Sequence, residues 1–360
     1  MRTVIVELTN RCNLACQHCF DGRHGGREDL PLELLAKVLA DARALGFTFL
    51  GFTGGDPTVH PRFAEVLRAT CEAGYDFGFN TNGWSFTSIY PVLLPVRERL
   101  QVITFSLDGA TEPTHDRLRG HGSYRRVMRA LDTCASLDLP FTLNMVVTAH
   151  NRHELPAMVE LAAHVGSRGL RFGHLMPSPL TTNGGFDLSP AERRLVEAEI
   201  WELQRHAPIP LTMAPGYYVR ELFPCAPLNL QEVNVDVRGN LTTCCHLSGQ
   251  GNGALDGDVV GSLTTLTFVE AYHRLVAENA RFRQAKLRHF GDERAVDSDW
   301  FPCWYCALSY RKVDWLRDAG EHPWAALLRE RAGVSSSSRS RRTVLPVIGS
   351  LRGAERQRGL

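Results

Sequence analysis

Short apolar runs and amphipathic stretches alternate along the first half of this chain. The runs Val4–Leu8, Thr48–Thr53, Asp76–Thr81, Val102–Leu107, Phe141–Thr148 and Leu170–Leu175 are rich in Val, Phe, Thr and Leu, the composition of buried strands. Between them, Pro31–Leu45, Pro61–Ala73, Ile89–Arg99, Ser123–Leu137 and Glu154–Val165 space their apolar residues as helices do. Pro31 suits a helix start, and Gly46 and Gly74 follow apolar helical runs as stops. Strands and helices that alternate in this way predict an α/β fold, a parallel sheet with helices outside it. Eight such units would close a TIM barrel; residues 1–176 carry six.

The alternation breaks at Met176-Pro-Ser-Pro-Leu-Thr-Thr-Asn-Gly-Gly-Phe186, a run of turn formers. Ser189-Pro190 then opens a helix to about Arg205, with Glu192 placed to complete a capping box. Residues 177–224 are therefore a linker and helix joining two domains. Glu232–Arg238 and Leu241–His246 alternate around Gly239-Asn240, which predicts a hairpin, and a helix follows over about Leu266–Phe290. The hairpin and helix define a smaller α+β extension over 225–320. Residues 334–360, with Ser-Ser-Ser-Arg-Ser-Arg-Arg at 336–342, read as a disordered basic tail.

Composition narrows the partners. Forty Lys and Arg against 39 Asp and Glu leave no global field to draw nucleic acid or an anionic membrane. No apolar run approaches the roughly 20 residues of a membrane helix, and too few residues precede Glu7 for a signal peptide. A cytoplasmic location is expected. Ten Cys in such a chain then need a reason other than disulfides. Cys71 and Cys134 stand alone in helical stretches and read as small buried apolar residues. The other eight are grouped.

Cys12, Cys16 and Cys19 lie within eight residues, in the loop that follows the first strand. In parallel barrels that end of the sheet is where chemistry gathers. A four-iron cluster normally takes four thiolates, so three leave one iron free for another ligand. Zinc is the rival, with His18 as a nominal fourth donor. The following strands also end in polar groups: Gly54-Gly55-Asp56-Pro57, then Asn80-Thr81-Asn82-Gly83, then Ser106-Leu107-Asp108-Gly109, with His115 to Gly120 beyond.

These residues resemble the radical S-adenosylmethionine (radical SAM) family. The resemblance covers about residues 3–175 and implies that the six units form a partial (β/α)6 TIM-like barrel over 1–176, and that Cys12, Cys16 and Cys19 hold a [4Fe-4S] cluster whose open iron binds SAM. Gly54, Gly55 and Asp56 resemble the family's Gly-Gly-Glu-Pro run, which holds the methionyl ammonium; the shorter Asp56 shifts that contact towards the glycine carbonyls. Ser106 and Asp108 would contact SAM, Asn80 or Asn82 would line its pocket, His18 would pack near adenine, and Arg119 would pair the SAM carboxylate. The plain alternative for Arg119 is an ion pair at a helix start on the surface.

The second Cys group, Cys225, Cys244, Cys303 and Cys306, resembles the twitch and SPASM extensions that carry auxiliary iron–sulfur clusters. Gly239 reverses the chain so that Cys244 returns towards Cys225. Neighbours on a strand face opposite ways, so only one of Cys244 and Cys245 is an expected ligand; the spacing from Gly239 in that resemblance favours Cys244, with His246 the strand's end. No Cys follows Cys306, which leaves ligands for one auxiliary [4Fe-4S] cluster, fully held by protein and suited to relaying an electron. A four-thiolate zinc site is the competing reading.

The function implied is reductive cleavage of SAM to a 5′-deoxyadenosyl radical and hydrogen abstraction from a substrate carbon, with an external flavodoxin- or ferredoxin-type reductant. The substrate expected first is a peptide, oxidatively modified. Because the first strand starts at once, recognition of a peptide leader would fall to a separate protein. A sugar alcohol, aminocyclitol or cofactor precursor is the second substrate class. A non-enzymatic iron–sulfur or zinc module would have no need of Gly54–Pro57 or Ser106–Asp108. The sequence marks no catalytic acid or base.

Overall fold

A computed structural model describes residues 1–19, 26–179, 181, 184–248, 257–292 and 294–336. Its strands are β1 (Arg2–Thr9), β2 (Phe47–Gly54), β3 (Asp76–Thr81), β4 (Leu100–Ser106), β5 (Phe141–Val147), β6 (Leu170–His174), β7 (Leu211–Met213), β8 (Glu232–Val235), β9 (Asn240–Thr242) and β10 (Val259–Ser262). The helices over the first half are α1 (Leu32–Asp41), α2 (Phe63–Glu72), α3 (Phe86–Leu93), α4 (Glu112–Arg119), α5 (Ser123–Ser136) and α6 (Leu155–His164). Then come α7 (Pro190–His206), α8 (Phe268–Gly291), α9 (Pro302–Ser309) and α10 (Ala325–Ser336).

All six expected strands form, within two residues of their expected ends. The sheet order is β10-β9-β8-β1-β2-β3-β4-β5-β6-β7, open at both edges among the described residues. From β8 through β1 to β7 every pairing is parallel; only β9 and β10 run antiparallel. Alternation sets the faces: in β5, Phe141, Leu143, Met145 and Val147 are buried while the residues between them are partly exposed. Helix packing against the sheet buries Val38, Val66, Leu67, Val127, Leu131 and Met158 in one core with the strand residues. Cys134 is fully buried in that core and Cys71 packs against it, as small apolar residues would.

The sheet does not stop where the barrel was expected to end. β8 pairs in parallel with β1, Thr3 to Val6 against Glu232 to Val235, and β7 pairs in parallel with β6. The expected linker thus contributes a strand, and the extension's hairpin widens the barrel sheet. Three-residue β7 and β9 fall below the length at which periodicity is visible in a sequence. α7 begins as its sequence signals, with a capping box in which Ser189 Oγ accepts from Glu192 N–H and the Glu192 carboxylate accepts from Ser189 N–H. Gly239 turns the hairpin at φ 78°, in the left-handed region that glycine favours.

Two expectations are corrected. The hairpin's second strand ends at Thr242, so Cys244, Cys245 and His246 lie beyond it, in a loop and turn. Alternation along a strand therefore does not separate the two thiols. Helix α10 runs to Ser336, into the start of the stretch expected to be disordered, because Ala325 to Gly333 continue a helical sequence; residues 337–360 of that tail lie outside the described residues. The extension has its own core, dominated by aromatics: Tyr218, Phe282, Phe301, Trp304, Tyr305, Tyr310 and Trp324.

Candidate functional site: two groups of thiols

The loop carrying Cys12, Cys16 and Cys19 leaves β1 at the C-terminal end of the parallel strands. Its backbone is clamped by the next strand. Gly55 N–H donates to Thr9 O at 2.8 Å and Asp56 N–H to Arg11 O at 2.8 Å. This contact explains the glycine pair: a Cβ on Gly54 would lie 2.1 Å from Thr9 O, and one on Gly55 2.1 Å from Arg11 O. Gly54 also sits at φ 129°. The Asp56 carboxylate points away from the loop. It is buried and accepts from Thr58 N–H (3.0 Å), Thr58 Oγ1 (2.6 Å), Thr81 Oγ1 (2.9 Å) and Asn82 N–H (2.8 Å). Its acceptor positions are occupied within the protein, leaving backbone at Gly54 and Gly55 as the face this run offers.

Two side-chain donors approach the sulfurs. Asn82 Nδ2 lies 3.8 Å from Cys12 Sγ and Arg119 Nη1 lies 3.9 Å from Cys16 Sγ. Burial pushes the Cys16 thiol up to about 11, against the pull of Arg119, and Cys12 rises for the same reason. The three thiols are close enough to raise one another, Cys19 acting on both Cys12 and Cys16. A metal that replaces their protons would release that burial cost.

Three of the expected SAM contacts turn out to be partners of each other. Asp108, fully buried at the end of β4, accepts from His18 Nε2 at 3.0 Å and from Arg119 Nε, and its other oxygen takes Val146 N–H at 2.8 Å. Burial opposes charge on Asp108, but Arg119 and His18 outweigh it and hold the carboxyl well below its usual range. Burial likewise opposes the Arg119 charge, and Asp108 and Cys16 more than restore it. Arg119, the last residue of α4, is 9% exposed and pairs with the buried Asp108 carboxylate, so the surface ion pair at a helix start does not form. His115 completes the cluster: its Nδ1 accepts Asp108 N–H at 3.1 Å, and burial with the nearby Arg119 pushes its pKa down to about 4. Ser106 is half-buried and Asn80 exposed, on β4 and β3 beside this mouth. Of Asn80 and Asn82 it is Asn82 that reaches a Cys sulfur, and His115, to which the sequence gives no role, braces Asp108. Their signal was there, as polar residues just beyond strand ends.

The second group gathers where the extension's aromatic core meets the barrel. Cys225, Cys244, Cys303 and Cys306 all pack against that core. Cys303 and Cys306 occupy the first turns of α9, a helix the sequence reading did not assign. Burial pushes Cys306 up to about 12 and Cys225 and Cys303 upward; the nearness of other thiols adds to Cys303 and Cys306. Cys244 and Cys245 hydrogen-bond to one another; the bond lowers Cys244 and raises Cys245, and both end above the ordinary value. Two buried cations adjoin them. Lys286 Nζ lies 4.8 Å from the Tyr305 ring, its pKa lowered by burial against the opposing pull of Cys306 and Cys225. Arg193 stacks on Trp324 at 4.3 Å, with burial bringing its pKa down to about 10. Such a set of buried thiols beside cations suits a metal or cluster that takes up thiolates.

Residues 6–162 match the family described as the Radical SAM superfamily. Over 225 residues the chain is 31% identical to PqqA peptide cyclase from Ruegeria pomeroyi, covering 60% of this chain and 59% of that protein. It is 27% identical over 256 residues to a probable GTP 3′,8-cyclase from Saccharolobus solfataricus, covering 67% of this chain and 82% of that one. The fold resembles that of Streptococcus suis SuiB bound to precursor peptide SuiA, with a TM-score of 0.59 at 14% identity over 75% of this chain and 64% of the other. The chain thus spans about three fifths of the length of the PqqA cyclase.

Proposed function

Residues 6–162 form a radical SAM domain, and from that premise we propose that the chain cleaves SAM reductively and abstracts hydrogen from a substrate carbon. What supports this most is the convergence of three thiols in one loop at the C-terminal strand ends, locked by Gly54 and Gly55. Cys12, Cys16 and Cys19 suit a [4Fe-4S] cluster with one open iron: three mutually interacting, half-buried thiols, and no fourth Cys within the loop. Such a cluster supplies the electron that cleaves SAM to methionine and the 5′-deoxyadenosyl radical. The protein's own part is positioning. Backbone carbonyls at Gly54 and Gly55 suit the methionyl ammonium, and Asn80 and Ser106 suit a ribose. The His18–Asp108–Arg119 cluster fixes the loop from behind through Cys16 and the residue before Cys19. Asn82 and Arg119, donors towards the sulfurs, favour thiolate over thiol.

Cys225, Cys244, Cys303 and Cys306 suit one auxiliary cluster held wholly by protein, an electron acceptor for the substrate radical. A peptide is the substrate class favoured, on the likeness to PqqA peptide cyclase; its reductant and any leader-binding protein would be separate chains. A small-molecule substrate is the second reading, favoured by the fuller coverage of the GTP 3′,8-cyclase. A short reading frame beside the gene would favour the first, and cofactor- or sugar-biosynthesis genes the second. The decisive experiment is anaerobic reconstitution with iron and sulfide, followed by an assay for 5′-deoxyadenosine. Product from wild type and none from Cys16→Ala is expected; undiminished product from Cys16→Ala would overturn the assignment.

A further inference from the structure

One place in the described residues brings three metal-binding atoms within 4.8 Å of one another: a ring nitrogen of His174, a ring nitrogen of His246 and Sγ of Cys303. They come from the end of β6, the turn after β9 and the first turn of α9. We propose that His174, His246 and Cys303 form a mononuclear site for a borderline divalent metal of the zinc class, which competes with the auxiliary cluster for Cys303.

Spacing favours a single ion here. Bonds of about 2.0–2.3 Å to tetrahedral zinc put neighbouring donors roughly 3.3–3.8 Å apart. His246 Nδ1 stands 3.8 Å from Cys303 Sγ, and the three atoms need close by only about an ångström. Donor chemistry agrees, since two imidazoles and a thiolate suit zinc or cobalt(II) and not magnesium or calcium.

The surroundings are built for a fixed ring. His174 is 7% exposed, and its Nδ1 is buried with no hydrogen-bond partner, an unfavourable state that a metal ion would relieve. Its Nε2 lies 3.1 Å from the Met176 thioether. Gly216 lies flat beneath the ring, where any Cβ would stand 2.0 Å from Cε1. Arg193 holds both flanking backbones, donating to Leu175 O at 2.8 Å and Gly216 O at 3.4 Å. Supports of this kind orient imidazole ligands in metal sites. A metal here would join three segments far apart in sequence and stabilise the folded chain by mass action.

The test titrates cobalt(II), then zinc, into the full-length chain purified anaerobically, with SAM cleavage assayed in parallel after reconstitution. Wild type should develop the visible ligand-field and thiolate charge-transfer bands of tetrahedral cobalt, and zinc should abolish them. The bands should vanish in His246→Ala and Cys303→Ala and persist in Cys225→Ala and Cys12→Ala. His246 lies in a half-buried turn, so its truncation should leave the fold intact; far-ultraviolet circular dichroism checks that. Bands that survive His246→Ala, bands lost equally in Cys225→Ala, or no bands in wild type would overturn the site. Cys12→Ala should lose SAM cleavage yet keep the cobalt spectrum, so a failure of the radical SAM reading is seen separately.

Discussion

The two thiol groups are built by opposite means. Cys12, Cys16 and Cys19 lie in one short loop, and the protein holds that loop mostly through backbone: Thr9 and Arg11 carbonyls on the Gly54–Asp56 run, and Gln17 N–H on Leu118 O at 2.9 Å. Behind it is a polar cluster, His18, Asp108, Arg119 and His115, almost fully buried. Cys225, Cys244, Cys303 and Cys306 come from segments spread over about eighty residues and are held by aromatic packing. A local loop needs rigid hydrogen bonds to fix its geometry, because few side chains contact it. A dispersed set needs a core, because only packing brings its members together. The same thiol chemistry therefore has different weak points in the two places.

Four substitutions or conditions test that contrast, from the largest effect down. Asp108→Asn leaves Arg119 buried without its carboxylate and should cost about 3–5 kcal/mol, read as a fall in the urea midpoint. It should also lower iron retained by the N-terminal thiols while sparing the C-terminal group. Trp304→Ala should cost a similar amount, about 3–5 kcal/mol, since Trp304 is fully packed and 5.0 Å from Trp324 centroid to centroid. There the pattern should reverse, with metal lost from Cys303 and Cys306 and 5′-deoxyadenosine formation retained. Equal losses at both groups in either variant would show that the two sites are one cooperative unit.

Acid should act on the first region through His115. Its folded pKa of about 4 lies below the ordinary 6.5, so the unfolded chain binds the proton more readily. The stability this group contributes is complete above pH 6.5 and is lost as pH falls from about 6.5 to about 4, by roughly 3 kcal/mol. His115→Gln, which keeps an acceptor for Asp108 N–H, should flatten that part of the stability curve; an unchanged curve refutes the assignment. Gly55→Ala should cost about 1–3 kcal/mol, because the added Cβ would press on the Arg11 carbonyl and displace the loop backbone. Its readout is more specific: weaker SAM binding with the C-terminal metal unchanged.

How much was legible in advance differs along the same line. Helix and strand periodicity located the six barrel strands, and the Ser189–Glu192 box marked the start of α7 to the residue. Cys12, Cys16, Cys19 and the Gly54-Gly55 pair were visible because their neighbours in space are near neighbours in sequence or stand at strand ends. The roles of Asp56, Asp108 and Arg119 were not, since a residue's type does not say whether its charge faces a ligand or another side chain. Asp108 and Arg119 were read as two contacts to a ligand, yet they bind each other. The hairpin's end at Thr242, two residues before Cys244, was likewise hidden, because Thr, Cys and Leu suit a strand and a turn alike.

The sequence by itself therefore determined the alternating α/β plan, the loop of three thiols and the glycines that receive it, all of them local patterns with a local physical cause. The tertiary structure alone decided that β8 would extend the barrel sheet beside β1, and that His18, Asp108 and Arg119 would pair in the dark behind the loop. It also decided that His174, His246 and Cys303 would meet. These depend on which distant segments pack together, and packing is settled by the shape and burial of the whole chain rather than by any stretch of it.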